Sequence, residues 1–128
     1  MSSPPLTTLL EGLRFPEAPR WHQGRLWFLD FFRQEVMADN ALGEMEVQFH
    51  LAESPSGLGW RPDGTLLVVS MHDERLLAWC GADSGVPQTV ADLSAHADGP
   101  CNDMVVDAQG GDPEQHCASE RRKKCPRR

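Results

Sequence analysis

The chain has 128 residues, 40% hydrophobic and 24% charged, with a formal net charge of −7. That is the size and composition of one small soluble globular domain. No apolar run reaches the roughly 18 residues that a membrane-spanning helix needs, and an acidic body argues against nucleic acid as its partner.

The charge is divided unevenly. Residues 1–110 carry 16 acidic and 6 basic side chains, whereas residues 111–128 carry 3 acidic and 6 basic. The opening MSSPPLTTLLEGLRF has no basic n-region and no long apolar stretch, so no signal peptide is expected and the expected location is cytoplasmic. Cys80, Cys101, Cys117 and Cys125 then read as free thiols without metal-site spacing.

In chain order, residues 1–6 read as a flexible N-terminus. Leu6–Leu13 reads as a strand rather than one helical turn, because Thr7 and Thr8 favour a strand and Gly12 weakens a helix. GRLWFLD, EVMAD, MEVQFHL, GTLLVVSM, RLLAWC and QTVADL follow. They are short, rich in β-branched or aromatic residues, and bounded by Gly, Pro, Asp or Asn, which predicts strands. Helical periodicity is not sustained for three turns anywhere. The fold class is therefore all-β.

The strands repeat. WHQGRLWFLDFFRQEVMAD from Trp21 and WRPDGTLLVVSMHDERLLAWC from Trp60 share a tryptophan, a turn ending in glycine (Gly24, Gly64), an apolar strand, a polar break and a second strand. A third copy opens at VVDAQG, with Val106 in the tryptophan slot and Gly110 in the glycine slot. The starts lie 39 and 46 residues apart, the period of about 40–50 residues expected for a four-stranded propeller blade. Six or so such blades need roughly 240–300 residues, so residues 7–110 read as the N-terminal two to two and a half blades of a truncated six-bladed β-propeller. Residues 111–128, GDPEQHCASERRKKCPRR, have no strand pattern and read as a disordered, non-propeller basic tail. A reading frame lost near Gly110, or a misplaced end of the gene model, is its expected origin.

Counting back four residues from each tryptophan slot gives Glu17 in FPEAPRW, Ser56 in SPSGLGW and Asn102 in GPCNDMVV. Each sits where a loop enters the innermost strand, and the entry ends of inner strands ring the mouth of a propeller channel. A carboxylate and an amide oxygen converging there suit a hard divalent cation. Ser56 reads as a small residue only, and Trp21, Trp27, Trp60 and Trp79 read as core between blades. His22, His50, His72 and His96 form no ligand pattern, and His116, Cys117 and Cys125 match no familiar zinc spacing. There is no nucleophile elbow and no phosphate-binding loop.

EGLRFPEAPRW, PSGLGWRPDGTLLVVS and GPCNDMVVDAQG resemble the amino-terminal part of the senescence-marker-protein/gluconolactonase/luciferin-regenerating-enzyme family, over about residues 7–110. The resemblance implies a six-bladed propeller that hydrolyses sugar-type or other small lactones with one divalent metal, calcium or zinc, in its channel. It implies Glu17 as a metal ligand, and Asn102 with the following Asp103 as substrate-contacting residues. An arginine that binds substrate in some members is replaced by Pro100, a departure that weakens the implied sugar preference. The family's other two metal ligands, one of them the general base, lie on later blades, so no complete catalytic set is expected here. The reading is a gluconolactonase-like hydrolase of small lactones, present as an inactive N-terminal fragment. Its partners would be a small-molecule lactone, no nucleic acid and no membrane, with self-association through exposed blade edges. The alternative is a non-catalytic propeller segment for binding or assembly. A third reading makes RRKKCPRR a nucleic-acid contact.

Overall fold

The computed structural model describes residues 4–40 and 42–107. Eight strands follow in order: β1 (Pro16–His22), β2 (Arg25–Asp30), β3 (Glu35–Asp39), β4 (Met45–His50), β5 (Pro55–Trp60), β6 (Leu66–Ser70), β7 (Arg75–Trp79) and β8 (Gln88–Asp92). A short 3-10 turn, Ala82–Ser84, is the one helical element among the described residues. The strands form two four-stranded antiparallel sheets, ordered β1-β2-β3-β4 and β5-β6-β7-β8. These are the two blades that the repeat predicts, and the six apolar runs are β2, β3, β4, β6, β7 and β8.

The turns explain both the similarity of the blades and their one-residue offset. Gln23 and Gly24 join β1 to β2 with positive φ of 50° and 76°, the two-residue turn whose twist matches paired strands. In the second blade the turn is longer. The Gly64 N–H donates to the Arg61 carbonyl (2.9 Å), the Arg61 N–H donates to the Thr65 carbonyl (2.9 Å), and Asp63 accepts from the Thr65 N–H and hydroxyl. Irregularities recur as well. Both inner strands carry a bulge, β1 between Glu17 and Arg20 and β5 between Pro55 and Gly57. Both outer strands carry one too, opposite Val36/Met37 and Leu76/Leu77.

Alternation along each strand sends side chains to opposite faces. Trp27, Leu29, Val36 and Ala38 of the first blade meet Leu58, Leu66, Val68 and Trp79 of the second in one buried cluster. Trp60 closes its inner end, stacked on His22 at 4.2 Å and edge-on to Trp27 at 5.3 Å. Burial lowers the His22 pKa, which favours the neutral ring in that stack. The other face of the second blade presents Leu67, Val69, Leu76, Ala78 and Ala91, covered in part by Cys101, Met104 and Val106. With both faces covered, every residue of β6 is buried.

The stretch 101–107 has no regular strand pairing, yet it takes the place that the third repeat assigns it, alongside β5. Gly57 and Gly59 make that approach close. A Cβ at Gly57 would lie 3.0 Å from the Asp103 Cα, the Asp103 Oδ1 and the Met104 nitrogen. A Cβ at Gly59 would lie 2.6 Å from a Val106 methyl.

Three expectations are corrected. Residues 4–13 form no strand: Leu6 and Leu9 are exposed, and the segment pairs with none of the described strands, although the outer edge of β4 is unpaired among them. Trp21 is 69% exposed, because it points away from β5 and no described blade precedes the first. Cys80 is disulfide-bonded rather than a free thiol. The expected basic tail, 111–128, and Gly110 of the third copy lie outside the described residues.

Asp30 ends β2 fully buried. Its carboxylate accepts from the backbone N–H groups of Arg14 (2.8 Å), Phe15 (3.2 Å) and Arg33 (3.2 Å), so one side chain ties the entry to β1 to the β2–β3 turn. Burial pushes its pKa up, but the backbone donors and the Arg33 charge outweigh that and hold it below the ordinary 3.8. A depressed carboxylate stabilises the fold above its unfolded pKa and loses that contribution as pH falls through the folded value. Asp30→Ala is expected to cost about 1–3 kcal/mol at neutral pH, with the gap to the native chain narrowing below pH of about 4. Urea unfolding across pH checks this; a gap that stays constant down to strong acid contradicts it.

The glycine contacts predict a second outcome. Gly57→Ala should destabilise by about 1–3 kcal/mol, because two of the three atoms it meets are backbone and cannot rotate away. Gly59→Ala should be rescued by Val106→Ala, which removes the obstructing methyl. A double mutant cycle that is simply additive would contradict the contact.

Candidate functional site

The slot residues lie at the entry ends of the inner strands. Glu17 is half-buried on β1, opposite Leu29 of β2. The bulge begins at Glu17, and Ala18 next to it adopts φ of 50°. That conformation is uncommon for a residue with a Cβ, and bulges beside functional sites re-aim side chains. In β5 the bulge falls on the matching residue, Ser56. The β1 bulge thus falls just after the slot residue, at Ala18 and Pro19, and the β5 bulge on the slot residue itself, which sequence counting could not reveal.

Ser56 is more than a small residue. It is 2% exposed, and its hydroxyl donates to the Cys101 carbonyl at 2.9 Å. That bond crosses from the second inner strand to the third inner stretch, one residue before Asn102. Asn102 itself is exposed, as is Asp103.

Arg20 makes the longer link. Its Nη2 donates to both Asp103 oxygens, at 2.9 and 3.2 Å, and approaches the Met104 carbonyl at 3.4 Å. Its Nη1 donates to the Pro19 carbonyl at 2.9 Å. The ion pair joins residues 83 positions apart, in the first and third repeats, across β5. Its ends fall three residues after Glu17 and one after Asn102, so the stretches bearing those two residues are drawn to the same rim.

The residues present do not make up a metal centre. Among the described residues no group of three or more His, Cys, Asp or Glu could hold a metal ion. Calcium takes about 6–8 oxygen ligands and zinc about four in total, so Glu17 with one amide falls short. A surface groove lined by Thr8–Glu11 and Gly43–Met45 includes none of the slot residues. Among the described residues no helix is long and apolar enough to cross a membrane.

Sequence reasoning passed over Arg20, Gly57 and Gly59, and took Ser56 for a small residue only. One signal was available: glycines at alternate positions of SGLG leave one strand face bare, which marks a close backbone approach.

Comparison with known proteins bears on the fold and the family. A provisionally named gluconolactonase, solved by X-ray crystallography, superposes with a TM-score of 0.62 at 18% identity, over 80% of this chain and 36% of its own. Virginiamycin B lyase from Staphylococcus aureus superposes with a TM-score of 0.51 at 14% identity, over 74% of this chain and 31% of its own. At such identities the likeness establishes the propeller fold alone, and the chain spans about a third of each structure's length. No curated protein matches significantly. Residues 15–121 match the profile of the SMP-30/Gluconolactonase/LRE-like region, and the chain belongs to that family.

Proposed function

We propose that this chain supplies the first two blades and the third inner stretch of a gluconolactonase-like hydrolase of small, sugar-type lactones. In the whole ring a divalent metal, calcium or zinc, would polarise the lactone carbonyl and lower the pKa of a bound water. In that reading Glu17 is a metal ligand, and Asn102 and Asp103 contact substrate. The observation that carries it is the Arg20–Asp103 link, which draws the Glu17 and Asn102 stretches to one rim within a segment that matches the family. No catalytic step is assigned to the chain alone, because its described residues lack a metal-holding set. A cytoplasmic location belongs to the same proposal.

The second reading is a non-catalytic segment that binds or assembles. Trp21 favours it: the repeat places Trp21 in the slot of Trp60, yet Trp60 is packed between blades and Trp21 is 69% exposed. Large exposed apolar side chains at a blade face favour association.

The purified chain is expected to bind calcium or zinc no more tightly than the millimolar range and to leave glucono-δ-lactone hydrolysis at background. Calorimetry and a pH-stat assay check this, and metal-dependent turnover by the 128-residue protein would contradict the inactive-fragment reading. When further blades of a family member complete the ring, lactonase activity should appear and fall at least about a hundredfold with Glu17→Gln. Equal turnover by that variant would remove Glu17 from the site. Size-exclusion chromatography separates the second reading: an inactive oligomer supports it, and an inactive monomer counts against it.

A further inference from the structure

The inner rim contains a device that the slot residues do not explain. Asn102 is exposed and lies in a stretch without strand pairing. Something else must fix its backbone if its side chain is to present a defined face to the channel. The residues on either side of it, Cys101 and Asp103, are each held by a side chain from a different blade. On one side Ser56, from β5, donates to the Cys101 carbonyl. On the other Arg20, from β1, holds both oxygens of Asp103, with the Met104 carbonyl at 3.4 Å. The Asp103 carboxylate also accepts from the Met104 N–H at 2.8 Å, so the anchored side chain is locked to its own backbone.

Gly57 lets the Asp103–Met104 backbone lie close against β5, where Arg20 meets it. A side chain there would start 3.0 Å from the Asp103 Oδ1 that receives the guanidinium. Arg20 occupies the repeat position matched by Gly59 in the second blade, so the first blade carries the arm and the second carries the notch. The Arg20 guanidinium is itself steadied by the Pro19 carbonyl. A donor fixed at its root and bonded to a carboxylate makes a strong and directional tether.

We propose that Arg20 and Ser56 are positioning residues that clasp the third inner stretch on both sides of Asn102, with Gly57 as the notch in β5 against which Asp103 and Met104 seat. The importance of Asn102 rests on the lactone-hydrolase reading; the clasp itself does not. Neither clasp residue touches substrate. Each sets the backbone from which the Asn102 amide projects. The arrangement gives Asp103 a second use beside the proposed substrate contact, as the acceptor of the Arg20 guanidinium.

The test follows the rim rather than turnover, so its failure is distinguishable from failure of the lactonase reading. In the 15N-labelled full chain, the Asn102 and Asp103 backbone amides should show order parameters near the rigid value of about 0.85. Arg20→Met and Ser56→Ala should each lower them, Arg20→Met below about 0.6, and should shift the Asn102 side-chain amide resonances. The Leu66–Ser70 amides should keep their wild-type values. Arg20→Lys, which retains the cation, should fall between Arg20→Met and wild type. Should Arg20→Met fail to fold, the native chain in about 1 M salt gives the same reading, because screening weakens an ion pair between partly exposed groups: mobility should rise at Asp103 and not in β6. Unchanged Asn102 and Asp103 amides in Arg20→Lys and in high salt overturn the clasp. A loss of order spread equally over Leu66–Ser70 also overturns it, since Arg20 would then serve general stability alone.

Discussion

A four-stranded blade has two apolar faces and can bury neither by itself. Most of this structure follows from that constraint. One face of the first blade, with Trp27, Leu29, Val36 and Ala38, is closed by Leu58, Leu66, Val68 and Trp79 of the second. Hydrophobic burial at about 25 cal/mol per Å2 makes such a face the dominant stabilising contact between sheets that share no ladder hydrogen bonds. The far face of the second blade needs the same service and receives it in part from Cys101, Met104 and Val106. The third inner stretch is therefore drawn to β5 by packing, without a ladder to hold it. The rim's polar contacts are laid over that apolar docking.

The side-chain polar contacts do not repeat even though the blades and their backbone bonds do, Phe31 N–H to the Phe15 carbonyl being matched by Met71 N–H to the Ser54 carbonyl. Asp30 and Ser70 occupy equivalent ends of β2 and β6. Asp30 gathers three backbone donors and fastens the approach to β1. Ser70 is equally buried, but its hydroxyl has no hydrogen-bond partner among the described residues. The approach to β5 keeps the shared backbone bond, Met71 N–H to the Ser54 carbonyl, and adds His72 N–H to the Glu53 carbonyl in place of a carboxylate anchor. Apolar packing tolerates duplication because it asks only for volume and periodicity. Polar anchoring depends on where each loop comes from, and the two loops arrive differently: one follows the irregular residues 4–13, the other follows β4.

This difference also governs what the sequence could reveal. The six apolar strands were legible because β-branched and aromatic runs bounded by turn residues report a local preference. The inner strands were harder. β1 contains Pro16 and Pro19, and β5 contains Gly57 and Gly59, residues that lower strand propensity. Only alignment of the repeats placed them. Residues 4–13 misled because Thr7 and Thr8 favour a strand locally, whereas a strand also needs ladder pairing, and this segment makes none with the described strands. The Glu17, Ser56 and Asn102 slot could be counted from the tryptophans. The pairing of Arg20 with Asp103 could not, since it depends on the distance between the first and third inner strands and on the absence of a Cβ between them.

The slot itself shows why a repeated position is not yet a site. Its three occupants have three environments: Glu17 is half-buried, Ser56 buried and Asn102 exposed. Ser56 spends its hydroxyl on the Cys101 carbonyl, so the second blade contributes a tether to the rim where the first contributes a carboxylate. A bulge at this position in β5, and just after it in β1, breaks the regular alternation, and each blade uses that freedom for a different end. A channel built this way needs only some of its blades to carry polar groups for chemistry. The remaining blades can use the same slot to hold their neighbours in place, and the second blade does so one residue from the amide that would meet a ligand.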